Sequence, residues 1–130
     1  MSKKDTLPFK AKTIFCDIDG TIFKYRQFAT YITSTPELLP GSKEKINEWH
    51  DIGHVIILTT ARPEYLRHHT MKELSEAGIK YHQLVTSCGR GERYLINDKH
   101  PEDKDRALGY NLPTDQGFEN TNWSDIDIHK

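Results

Sequence analysis

The order of residues predicts a single three-layer α/β domain on a mainly parallel sheet, with a small flap after the first strand. Three observations predict it. Short apolar runs end abruptly in polar clusters, helical patterns with their own start and stop residues lie between those runs, and strand and helix alternate along the chain. At 130 residues and 15.1 kDa, the chain fits one such domain with one core.

Residues 1–11 read as a polar, flexible lead-in. Thr13-Ile14-Phe15-Cys16 is a continuous apolar run that stops at Asp17, the pattern of a buried parallel strand. From Thr21 to Pro40 the chain is rich in aromatics and threonine, which suits a small hairpin or flap better than a long helix. Pro40-Gly41-Ser42 marks a turn, Ser42 is a candidate cap, and Ile46 and Trp49 share one face of a helix that should end before Gly53. Val55-Ile56-Ile57-Leu58 is a second apolar strand running into Thr59 and Thr60.

Pro63 suits a first helical turn, Leu66, Thr70, Leu74 and Ala77 recur at helical spacing, and Gly78 supplies the stop. A third strand is expected around Tyr81 to Val85. After the loop Cys88-Gly89-Arg90-Gly91, a fourth, Tyr94-Leu95-Ile96, should deliver Asn97-Asp98. Residues from about 112 to 130 are polar and read as a partly ordered tail.

The bulk properties narrow the function. Charged residues make up 28% with a net charge of −1, so no overall bias favours polyanions; nucleic acid is weakened as a partner but not removed. The polar start and the lack of any long apolar stretch predict a soluble cytoplasmic protein without a membrane partner. Of the two cysteines, Cys16 sits in an apolar run, so a buried thiol is favoured over a bridge to Cys88. The histidines form no ligand set, and Cys88 has no neighbouring cysteine for a zinc knuckle.

Three polar clusters follow directly on apolar strands: Asp17-Ile18-Asp19-Gly20-Thr21, Thr59-Thr60-Ala61-Arg62 and Asn97-Asp98. In an open parallel sheet ligands bind beyond the carboxyl ends of the strands, so all three should meet in one crevice. Carboxylates brought together there repel, and a hard divalent cation resolves the conflict; Mg²⁺ suits a few carboxylates, waters and phosphate oxygens. In Asp-x-Asp the first acid can attack while the second, on the turn at Gly20, handles protons. Taken singly, each cluster has a plainer reading as a cap or turn former.

The stretch F-C-D-I-D-G-T resembles the first signature of the haloacid dehalogenase superfamily, and V-I-I-L-T-T-A-R resembles its second. The resemblance spans about Thr13 to Asp103 and implies a small phosphatase without a cap domain, since no insertion is long enough to build one. By it, Asp17 is the nucleophile and Asp19 the general acid and base. Mg²⁺ is held by Asp17, the backbone carbonyl of Asp19, and Asp98. Thr60, with Thr59 second, binds the phosphoryl oxygens together with Ala61, and Arg62 is a candidate phosphate clamp.

The family's usual lysine before the fourth strand is missing, because no lysine lies between Lys80 and Lys99. Arg90 is the first replacement and Arg93 the second. Asn97 stands where a second acid is common, leaving Glu102 or Asp103 as supporting acids. The implied activity is hydrolysis of a phosphomonoester through a phosphoaspartate, with a small phosphosugar as favoured substrate. Alternatives are a polynucleotide 3′-phosphatase and a receiver-like phosphoacceptor or binding module. An open site also allows closure by a second copy in a homo-oligomer.

Overall fold

The computed structural model describes residues 10–127; the expected lead-in up to residue 9 and the end of the expected tail, 128–130, lie outside the described residues. Strands β1 (Thr13–Asp17), β2 (Val55–Thr59) and β3 (Gln83–Val85) form a sheet in the order β1-β2-β3. Both pairings are parallel. Helix α1 (Ser42–Ile52) connects β1 to β2, and α2 (Arg67–Ala77) connects β2 to β3.

Crossovers of the usual right hand that step the same way across a sheet carry their helices on one face. Burial follows that rule. Ile14 and Cys16 on β1, Ile56 and Leu58 on β2 and Leu84 on β3 pack with Ile46, Trp49 and Leu74 of the two helices. The residues between them in each strand, Phe15, Ile57 and Val85, face the other way, and Phe15 is 53% exposed. One sheet face is therefore a packed core, while the other carries apolar residues that neither α1 nor α2 covers.

The helix ends obey local chemistry. Gly53 and Gly78 close α1 and α2 with positive φ, where a residue with a Cβ is strained. Ser42 is the first residue of α1 and does not cap it; its buried hydroxyl donates to the carbonyls of Leu39 (2.9 Å) and Ile22 (3.2 Å). That fastens the helix start to the base of the flap. A 3-10 turn over Glu64–Leu66 follows Pro63 and leads into α2.

The flap is a short hairpin-like excursion. Phe23 and Leu38 form an isolated antiparallel bridge, Leu39 donates to Ile22 and Lys24 to Glu37. Phe23 and Tyr31 turn inward and are buried, while Tyr25 and Phe28 stay exposed.

Two expectations meet a different outcome. The fourth strand does not form: Tyr94-Leu95-Ile96 runs without a ladder, with Tyr94 and Ile96 86% and 93% exposed. Three apolar residues have a strand's side chains but no strand without a neighbour to complete its hydrogen bonds. The flanking charges find other partners, Arg93 on Asp17, Asp98 on Arg106, and Lys99 on Asp103 and Asp105.

The second concerns the stretch after Leu112, which packs instead of trailing. Phe118 is buried, Trp123 meets Trp49 edge to face with ring centroids 5.2 Å apart, and the short helix α3 (Ser124–Asp127) brings Asp127 to the Trp49 indole N–H (2.9 Å) and to Lys45 (2.6 Å). Gly117 makes this possible, since a Cβ there would collide with the Pro40 carbonyl oxygen. Polar composition concealed two aromatic anchors.

Candidate active site

The strand register builds the site. Asp17 is the Cα partner of Thr59, which in turn partners Val85, so the last residues of all three strands stand abreast at one end of the sheet. Asp17 and Thr59 lie on the same sheet face, the one the helices leave open. The chain then turns sharply. Ile18 is fully buried and its carbonyl accepts from the amides of Thr21, Ile22 and Phe23, and Gly20 adopts φ 88. A Cβ on Gly20 would press on Thr114, whose neighbour Asp115 donates its amide to the Gly20 carbonyl.

Oδ1 of Asp17 accepts from Arg93 (2.9 Å) and Oδ2 from the Thr21 hydroxyl (3.3 Å). Both members of the Arg93 pair are partly exposed, and such pairs contribute about 1 kcal/mol or less to stability. The contact therefore does little to hold the fold and much to set a cation on the candidate nucleophile. Arg90, first choice for that task by sequence, is exposed and makes no polar contact among the described residues. Its loop carries it outward, and the residue that reaches Asp17 is Arg93.

Arg62, the candidate phosphate clamp, turns inward. Its side chain is 0% exposed and its donors are spent inside the protein. Nε and Nη2 donate to the two oxygens of Asp19 (2.9 and 2.8 Å), and Nη1 donates to Thr70 (3.1 Å) and Glu73 (2.7 Å). Four of the five guanidinium N–H groups are thus engaged, which leaves no pair of them to clamp a phosphate in a bidentate way. Arg62 grips Asp19 instead.

Glu73 also accepts both ends of the Arg26 guanidinium (2.9 and 3.0 Å) from the flap and lies 3.3 Å from His69. The Tyr31 ring covers Arg62, with the guanidinium carbon 4.3 Å from the ring centre, a cation–π arrangement.

Ionisation reflects these contacts. Burial pushes Arg62 toward losing its proton, but the bonds and charges of Asp19 and Glu73 outweigh it and hold the guanidinium above its ordinary value. For Glu73, burial raises the carboxyl, and hydrogen bonds from Arg26 and Arg62 more than offset this, leaving it below its ordinary value. Burial, followed by the charge of Asp19, pushes the Tyr31 hydroxyl up to about 12. Nothing in the sequence separated Glu73 from the other surface acids of a helix; its spacing from Thr70, on the face of α2 that turns inward, is the one signal that could have.

Thr60 is buried. Its hydroxyl accepts from the Arg62 amide (3.0 Å), and its own amide donates to Val85 (2.9 Å). It holds the turn after β2, while Thr59, half-buried beside Asp17, has the more open hydroxyl; Ala61 lies between the turn and Arg62. Glu64 ties the start of α2 to the loop after β3. Hydrogen bonds from Arg67 and Thr86 hold its carboxyl down to about 2.

The expected magnesium set is not assembled. Asp98 is 75% exposed and accepts from Asn97 (3.0 Å) and Arg106 (3.4 Å), because its segment does not join the sheet. Glu102 and Asp103 are exposed on the same segment. Both carboxylate oxygens of Asp19 accept from Arg62, which leaves its backbone carbonyl, the expected ligand, outside that contact. Among the described residues, no three His, Cys, Asp or Glu side chains gather where they could hold one ion. What the arrangement does fit is an ion held by one carboxylate, Asp17, with waters and phosphate oxygens completing the shell, a mode common for Mg²⁺.

Among the described residues, no helix is long and apolar enough to cross a membrane. The family described as PITM 1-3, LNS2 domain, matches residues 14–102. Membrane-associated phosphatidylinositol transfer protein 3 of Mus musculus and that of Homo sapiens are each 25% identical over 89 residues, which is 68% of this chain. The aligned part is 9% of either relative, so the chain spans only about a tenth of their length.

The match corrects the resemblance to small capless phosphatases of the haloacid dehalogenase type. What survives is coarser: the LNS2 domain is phosphatase-related. With the family matching residues 14–102, from β1 through Asp98, the chain belongs to the LNS2 domain family of PITM 1-3.

Proposed function

We propose that the chain binds a phosphomonoester at the carboxyl ends of β1 and β2 and hydrolyses it through Asp17. The observation that carries the reading is the register pair Asp17–Thr59, with Arg93 on the Asp17 carboxylate and Asp19 two residues on in the grip of Arg62. A nucleophilic carboxylate, a hydroxyl, a permanent cation and a second acid are the groups that phosphoryl transfer asks for.

In the first step an Asp17 oxygen forms a bond to phosphorus as the ester P–O bond breaks, and the leaving oxygen takes a proton carried on one Asp19 oxygen, which has exchanged its Arg62 contact for that proton. In the second, water attacks the aspartyl phosphate and gives its proton back to Asp19, so that Asp17 and inorganic phosphate are restored. Arg93 balances charge on the equatorial oxygens, and Thr59 donates to one of them. Mg²⁺ is the proposed ion, held by Asp17, and would supply further charge neutralisation at the phosphoryl group. A fourth strand formed by Tyr94-Leu95-Ile96 along β1 would bring Asp98 toward the same ion.

The substrate proposal now has two sources of the same chemistry. A phosphosugar is favoured by the near-neutral net charge of −1; a phosphorylated lipid headgroup is suggested by the relatives, whose name is membrane-associated phosphatidylinositol transfer protein 3. The same name withdraws support from the absence of a membrane partner and leaves a cytoplasmic location as a proposal. A second reading, binding without turnover, is favoured by the exposed position of Asp98 and the unassembled acid set.

Phosphate release from para-nitrophenyl phosphate, from phosphosugars and from short-chain phosphatidic acid, with Mg²⁺ or EDTA, tests these readings. Turnover that needs Mg²⁺ and disappears in Asp17→Asn is expected. Undiminished turnover in that variant refutes the nucleophile, and saturable binding without release in the wild type selects the second reading.

A further inference from the structure

The contacts of Asp19 lead away from the sheet to a residue with no place in the chemistry so far. Arg62 holds both oxygens of Asp19, but a long arginine is only as rigid as its own partners. Its far side rests on Thr70 and on Glu73, which is buried on α2 and receives Nη1 at 2.7 Å. Glu73 is in turn fixed from the flap, where both terminal nitrogens of Arg26 reach its two oxygens. Arg26 itself is anchored on the carbonyl (3.2 Å) and hydroxyl (3.3 Å) of Ser34. Tyr31 lies over the guanidinium groups of Arg62 and Arg26 at 4.3 and 5.2 Å.

From this geometry we infer that Glu73 is a positioning residue: it holds Arg62 where its fork presents Asp19, and it makes that presentation depend on the flap being closed through Arg26. Glu73 touches no reacting atom. It acts only through Arg62, and the flap reaches the site through the same carboxylate. The inference rests on the proposed hydrolysis for its catalytic consequence, though not for its structural one.

Glu73→Gln keeps the shape and one acceptor oxygen while removing the charge that both arginines share. In the para-nitrophenyl phosphate assay it is expected to lower kcat by about 100-fold, the scale of a small misplacement of a catalytic group, while KM stays within about threefold. The decisive comparison adds Asp19→Asn. If Glu73 acts through Asp19, the double variant Asp19→Asn/Glu73→Gln turns over no more slowly than Asp19→Asn alone, because contacting residues on one path are not additive. A role in general stability would lower the rate again in the double variant, and that result overturns the inference.

A second readout needs no activity. The Arg62 Nε–H, bonded to Asp19, is expected to give a slowly exchanging proton resonance in the full chain at pH 7. That resonance should shift and exchange at least tenfold faster in Glu73→Gln, with the far-UV spectrum still native. An unchanged resonance overturns the inference whether or not the chain is an enzyme. If the wild type shows no Asp17-dependent turnover but the resonance responds as stated, hydrolysis fails and the positioning role of Glu73 stands.

Discussion

Replacing Glu73 by alanine should cost the fold a large part of its stability. The side chain is 6% exposed and accepts from Arg62 and from both ends of Arg26, whose side chains are 0% and 10% exposed. Alanine leaves those two cations facing a small void. Removing one partner of a buried ion pair costs roughly 3 to 5 kcal/mol, because the remaining charge loses its compensation. Arg62 keeps Asp19 and Thr70, and Arg26 keeps Ser34, so the middle of that range, about 4 kcal/mol, is the expectation.

Against a total of roughly 5 to 15 kcal/mol this leaves a marginal domain. The midpoint of thermal unfolding should fall by about 10 to 20 °C for a chain of this size. Urea melts followed by the fluorescence of Trp49 and Trp123 and by far-UV dichroism measure it. A loss below about 1 kcal/mol would refute the argument, since it would mean that the buried charges are compensated without Glu73.

The pH dependence follows in sign. Glu73 sits below its ordinary value of 4.5 in the fold, so its contribution is complete above pH 4.5 and is lost as the pH falls through the lower folded value. The stability gap between wild type and Glu73→Gln should therefore narrow in acid.

Three further outcomes are expected. Arg93→Ala should lower phosphate release by tenfold or more while changing stability by about 1 kcal/mol or less, because its pair with Asp17 is partly exposed; equal losses in both would make it structural. Under native conditions a thiol reagent should label Cys88 and spare Cys16, whose thiol is pushed up to about 12 by burial; two labels per folded chain would contradict the packing of β1. Trp123→Ala should destabilise the chain by about 3 kcal/mol, the low end for an aromatic deletion, since the indole packs on Trp49, Phe118 and Tyr110 but is only partly buried. A neutral effect on urea stability would return residues 112–127 to the status of a loose tail.

The elements that were legible in advance share one property: their signals are local. Apolar runs at Thr13–Cys16 and Val55–Leu58, helical spacing from Leu66 to Ala77, and glycine stops at Gly53 and Gly78 each reveal an element without reference to distant residues. Asp17 and Thr59 could be placed at strand ends for the same reason, being the first polar residues after apolar strands, though the residue order favoured Thr60 over Thr59 for the phosphoryl contact. The fourth strand failed because its outcome depends on a partner strand, and a three-residue run does not carry that information. The aromatic anchors Phe118 and Trp123 were hidden by polar neighbours that averaged them away.

Residue order by itself determined a parallel α/β domain that ends its strands in an Asp-x-Asp turn and a threonine pair, because strand period, helix period and turn chemistry act over a few neighbours. Only the tertiary structure decided which arginine serves which acid. Arg93 reaches Asp17 across 76 positions of chain, while Arg62 turns inward to Asp19 and Glu73. An arginine has the same chemistry at every position, and its role is set by burial and by the carboxylates that folding brings within about 3 Å of it.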